Sequence, residues 1–173
     1  MKKLNIRVVI IQLFAMIFLI HGILQLRFYT VAEEFICATN HFQDKKSECW
    51  NRLFPSKDDV FNFLPGIFIW VFIGLSLGII LIAFLNWKNK LSALNTILVS
   101  MVMYIILRLK FFRKGVFSRL FGDFTSALSD DFTTQFIIGG IIFTFMGAAI
   151  LWLSVNPNLF NFRKKKNSDQ INS

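Results

Sequence analysis

Four long stretches of the chain carry no Asp, Glu, Lys or Arg, and nothing constrains the fold more than they do. They are "VVIIQLFAMIFLIHGILQL" between Arg7 and Arg27, "VFNFLPGIFIWVFIGLSLGIILIAFLNW" between Asp59 and Lys88, "LSALNTILVSMVMYIIL" between Lys90 and Arg108, and a run between Asp131 and Arg163 containing "FIIGGIIFTFMGAAILWLSV". A hydrocarbon core of about 30 Å is crossed by about 20 apolar residues in a helix, so each run is able to cross once. In lipid the backbone must satisfy its own hydrogen bonds, and none of the runs alternates as a barrel strand does. The expected fold is therefore all-α: an integral membrane four-helix bundle in one domain, with helices near 6–26, 62–86, 91–109 and 133–155. An outward loop over 27–61 and a cytoplasmic tail over 159–173 complete it. Composition agrees, since 55% hydrophobic residues, 22 of the total Phe, would make an insoluble globular surface. "MKKLNIR" followed by an apolar run resembles a secretory signal, but the run is long enough to span, and an uncleaved first helix is expected.

Four spans place both ends on one side. Lys and Arg are almost evenly divided between the two sides, so their number alone does not orient the chain. Density does: Lys2, Lys3, Arg7, Lys88, Lys90 and the "FRKKK" run from Phe162 lie in short flanks nearly free of acids. Both termini are expected in the cytoplasm of a bacterial inner membrane. The segment "LRLKFFRKGVFSRLFGDF" then faces outward, against the usual charge bias. Phe117, Leu120, Phe121, Phe124 and Leu128 fall on one helical face and Lys114 and Arg119 fall off it, which predicts an amphipathic helix in the interface. Gly115 and Gly122 are its expected breaks. Asp130 and Asp131 are expected to cap the last span.

The outward loop holds the two cysteines of the chain, Cys37 and Cys49. On that side they meet an oxidising compartment and are expected to pair. Neither C-x-x-C nor clustered His accompanies them, so no metal or redox motif is read there. His41, between them, reads as a surface histidine. Inside the spans, Gln12, His21, Gln25, Asn95, Thr96, Ser100 and Thr144 are the main polar groups. An ionisable group within a span is a functional candidate by default, yet His21 reads first as half of an interhelical hydrogen bond to Ser100 or Thr144. Gly74 and Gly78 in the second span, and Gly140, Thr144 and Ala148 with Gly147 beside them in the fourth, permit close approach, so these two spans are the expected contacting pair. Pro65 stands where a helix starts at little cost, and Trp70, Trp87 and Trp152 are candidate interface anchors.

No nucleophile elbow, phosphate loop or zinc-protease motif occurs in the chain, so no catalytic residue, metal or cofactor is assigned. The basic tail reads as a topology anchor near anionic lipid and not as a nucleic-acid site.

The order of these features, with both ends inside, an outward segment after the first span, the inner turn "NWKNK", the outward stretch "FFRKGVFSRLFGDFTSALS" and the basic end "FRKKK", resembles the immunity proteins of A-type pore-forming colicins. That resemblance implies an inner-membrane protein without catalytic activity that binds a membrane-inserted bacteriocin and blocks channel opening. Its candidate partner-binding residues are Arg113, Lys114, Phe117 and Arg119 outside and Gly74 and Gly78 in the bilayer. A second stretch, "FLIHGILQLRF" over 18–28, is similar to the end of the first helix in DoxX-like membrane proteins, which implies quinone-associated redox chemistry with His21 and Arg27 as headgroup contacts. The third reading is an accessory subunit of a larger membrane complex.

Overall fold

Ser56 and Asp59 begin the longest helix well upstream of its apolar run. Asp59 Oδ2 accepts from the Ser56 backbone N–H at 2.9 Å while Ser56 Oγ accepts from the Asp59 N–H at 3.3 Å, a reciprocal box that satisfies two helix-end donors. The computed structural model describes residues 6–44, 48–85, 92–108 and 116–155, and every regular element among them is helical. In chain order these are α1 Ile6–Thr30, α2 Ala32–Asp44, α3 Cys49–Leu53, α4 Lys57–Leu85, α5 Ser92–Arg108, α6 Val116–Ser126 and α7 Phe132–Val155. By length and composition three of them, α1, α4 and α7, are able to cross a membrane. The described part of α5 has 17 residues, about 25 Å of rise, and stops short of that length.

α1 is the axis of the molecule. Val9, Ala15, Met16, Leu19, Ile20 and Ile23 form the core with Ile82 of α4, Val99 and Met103 of α5 and Leu151 of α7. Small residues set the spacing. A Cβ added to Gly147 would stand 2.7 Å from the Leu19 amide nitrogen, and one on Gly74 would stand 3.0 Å from the Ile20 Cα, so α7 and α4 both approach α1 at backbone distance. The expected pairing of the second and fourth spans is thereby corrected. Their small-residue stripes each meet α1, and α4 and α7 touch one another only marginally.

Three further expectations change. The segment expected as an outward loop is largely helical: α1 continues to Thr30, and α2 and α3 follow, with Glu33 and Glu34 in the favourable first turn of α2. Pro65 lies inside α4 and not at its start, leaving the Phe61 carbonyl without its usual helical donor. Gly122 is not a break, because α6 runs through it to Ser126.

The α2–α3 end of the molecule is tied down by local chemistry. Cys37 and Cys49 are joined with their Cα atoms 6.0 Å apart, closing α3 against α2. His41 is half-buried and not a plain surface residue, since its ring stacks on Trp50 at 3.9 Å. Phe54 is buried and packs edge-on against Phe63 of α4 at 5.3 Å. The Arg52–Glu33 ion pair is exposed and adds little. Asp131 caps α7 as expected: its Oδ2 accepts from the Thr134 N–H at 2.7 Å and from the Thr134 hydroxyl at 2.6 Å. Those bonds hold the Asp131 carboxyl below its ordinary range.

Candidate functional site

Where α1 approaches α2, α6 and α7, the helices leave a cavity of about 340 Å³. α1 contributes His21, Leu24, Gln25 and Phe28, and α2 contributes Phe35, Ile36, Thr39 and Asn40. Gly122 and Thr125 of α6 and Phe132, Gln135 and Phe136 of α7 close the remaining sides. No Asp, Glu, Lys or Arg lies among these residues.

Burial separates a floor from a mouth. Gln25, Thr125 and Gln135 are buried, whereas Thr39, Asn40 and Phe132 are exposed. Apolar rings join the two. Phe28 and Phe35 stack at 4.2 Å, and Phe136 approaches both, at 5.5 and 5.7 Å. The cavity is therefore walled by aromatic carbon and floored by uncharged polar groups.

His21 and Gln25 stand one helical turn apart, so their side chains meet on one face of α1. Gln25 Nε2 lies 3.0 Å from His21 Nε2, and the amide donates to the ring when the imidazole proton sits on Nδ1. The His21 ring is fixed from the other side by Phe121, stacked at 4.2 Å, and by Phe143, edge-on at 5.4 Å. The expected interhelical bond to Ser100 or Thr144 does not form. Ser100 donates instead to the Thr96 carbonyl at 2.7 Å, and the buried Thr144 hydroxyl, which lies where a Gly22 side chain would be, has no hydrogen-bond partner. Gln25 is only 5% exposed, and its Oε1 has no donor. The missing side chain of Gly139 is what makes room for that oxygen.

The other residues singled out in the sequence are scattered. Arg113 and Lys114 lie outside the described residues. Phe117 is in the first turn of α6, and Arg119 is exposed on the same helix. Gly74 and Gly78 are turned inward against Ile20, Met16 and Leu19 of α1, because close approach within the chain occupies the face they were expected to offer a partner. Arg27 is not part of the cavity wall. Its guanidinium lies over Trp70 at 5.7 Å and donates to Thr30 Oγ1 at 3.1 Å.

Thr125, Gln135 and Phe35 were not singled out in the sequence, because their role depends on three helices meeting. The one local signal was the i, i+4 spacing of His21 and Gln25. Comparison with known protein families, with curated proteins and with solved structures gives no match to this chain.

Proposed function

We propose that the chain is an inner-membrane protein of four spans with both termini in the cytoplasm, in which α5 together with its flanking apolar residues completes the fourth crossing. It acts by docking: it binds a pore-forming bacteriocin within the membrane and blocks channel opening. The observation that carries this reading is the seating of α6. Phe121 is buried between Phe18, His21 and Phe143, while Arg119 on the same helix is exposed. A helix held in this way keeps Arg119 at a fixed height, which suits an acidic, membrane-inserting partner. The joined cysteines support an outward position for α2 and α3, since such pairs persist in oxidising compartments.

The test is protection of sensitive cells against a panel of purified pore-forming bacteriocins. Expression of the chain is expected to protect against at least one of them. Replacing Arg113, Lys114 and Arg119 together by Ala is expected to weaken the complex about tenfold or more and to remove protection. Full sensitivity to every toxin in cells that accumulate the protein would sink the reading.

A further inference from the structure

α2 walls the cavity without close backbone packing on α6 or α7. It reaches α7 through side chains, with the Phe35 and Phe136 rings 5.7 Å apart, and a space of about 340 Å³ is left between the helices. Protein interiors are close-packed, and voids much larger than a water molecule are few, so a gap of this size is a place for a ligand.

The surface that a ligand meets there is mostly carbon, supplied by Leu24, Phe28, Phe35, Ile36, Phe132 and Phe136. The polar residues between them direct hydrogen bonds into the protein. Thr39 Oγ1 donates to the Phe35 carbonyl at 2.8 Å, Thr125 Oγ1 to the Phe121 carbonyl at 3.1 Å and Gln135 Nε2 to the Ser129 carbonyl at 2.7 Å. Gln25 is joined to His21, and its oxygen is packed against Gly139. Held water needs about two to four polar partners, whereas an apolar space stays dry and takes apolar ligands. No Asp, Glu, Lys or Arg lines the space, so a charged group buried in it would go uncompensated. Phe132 is exposed at the mouth. On the membrane reading, on which this step rests, that ring borders lipid, and the bilayer's own phospholipids are the nearest source of a long apolar ligand.

We propose that the cavity holds one acyl chain of a bilayer phospholipid, lying along Leu24, Phe28, Phe35 and Phe136, with the headgroup outside near Thr39 and Asn40. Recognition is through the chain, so the charge of the headgroup is not read. Bacteriocin docking is not required, and none of its residues is used.

The full chain in nanodiscs is exposed to three photoreactive phospholipids: phosphatidylcholine and phosphatidylglycerol, each with a diazirine at the end of one acyl chain, and phosphatidylcholine with the diazirine on its headgroup. Labelled residues are mapped by mass spectrometry. Phe68 and Phe145, exposed on α4 and α7, report contact with surrounding lipid. Absence of labelling at both would remove the membrane reading itself, and this inference with it. Both tail probes are expected to label Leu24 or Phe28 to a similar extent, and the headgroup probe about tenfold less. Gly122→Trp fills the space, since an added Cβ there meets nothing within 4 Å. It should lower labelling of Leu24 and Phe28 about tenfold while leaving Phe68 and Phe145 unchanged. Gly122→Leu fills less of the space and should give a smaller loss. With Phe68 and Phe145 labelled, the proposal is overturned by unlabelled Leu24 and Phe28, by equal labelling there from the headgroup probe, by a strong preference for one headgroup, or by indifference to both variants.

Discussion

Gln12 and Gln25 are the same residue type, both buried on α1, yet the structure uses them in opposite ways. Gln12, at 0% exposure, is engaged at both ends of its amide: Nε2 donates to Ser154 Oγ of α7 at 3.3 Å, and Oε1 accepts from Asn95 Nδ2 of α5 at 2.7 Å. Ser154 passes the connection on to the Leu151 carbonyl at 2.6 Å. Three helices are tied through one side chain. Gln25 bonds only within its own helix, and its buried oxygen, packed against Gly139, has no donor. A buried polar group with all its partners fixes packing, whereas one without a donor carries a desolvation cost that the surrounding packing must offset.

The comparison breaks most readily at the outer wall. Replacing Cys37 and Cys49 by Ser should cost about 3 kcal/mol for a loop of this length, and the loss should fall on α2 and α3. Hydrogen exchange should then rise around the cavity and stay low around Gln12. Equal loosening at both amides would mean that they belong to one cooperative unit.

Gln12→Ala attacks the opposite end. Intramembrane hydrogen bonds average about 0.6 kcal/mol each, and the cavity left behind adds to their loss, so about 2 kcal/mol is expected in a detergent unfolding titration. The contrast with Gln25→Leu, which should be neutral or stabilising, is the sharpest single measurement of the difference. If both variants destabilise alike, Gln25 is an ordinary packing residue.

Gly147→Ala should cost about 1–2 kcal/mol by pushing α7 from α1, since the added carbon would lie 2.7 Å from the Leu19 amide. Gly66→Ala, which meets nothing within 4 Å, should be neutral or mildly stabilising in the same assay. A similar cost at the two glycines would argue against backbone-level contact along α1.

The smallest effect concerns the entrance to α7, next to Phe132 at the mouth of the cavity. The Thr134 hydroxyl and N–H hold the Asp131 carboxyl below its usual range, so folding favours the charged form. Its contribution is complete above the unfolded value near pH 4 and is lost as pH falls through the lower folded value. Thermal midpoints followed from pH 7 to pH 3 should show that loss for the native chain, and Asp131→Asn should reduce it while retaining a cap.

Much of this architecture was legible from local sequence. Uncharged runs located α1, α4 and α7, and Asp131 was recognisable as a cap because it directly precedes an apolar run. The early start of α4 was also written locally, in Ser56 and Asp59, but a boundary drawn at hydropathy alone overlooks a polar first turn. Helix partners were not legible. Gly74 and Gly147 announce close approach without naming what approaches, and the common partner, α1, carries its own small residue, Gly22, as a lone glycine with no small-residue repeat to announce it. The candidate site was legible only as His21 and Gln25 one turn apart. Its other walls come from α2, whose mixed charge reads as a loop, and from α6 and α7, far along the chain.

The tie from Gln12 to Ser154 spans 142 residues, and this separation has a consequence for biogenesis. Synthesis at about 5–20 residues per second leaves roughly 7–30 s between the two residues' emergence from the ribosome. On the proposed membrane reading, the Gln12 oxygen gains Asn95 partway through that interval, but its Nε2 stays without Ser154 until the end. Newly made chains should accordingly pass through a protease-sensitive stage that ends only when the last helix arrives.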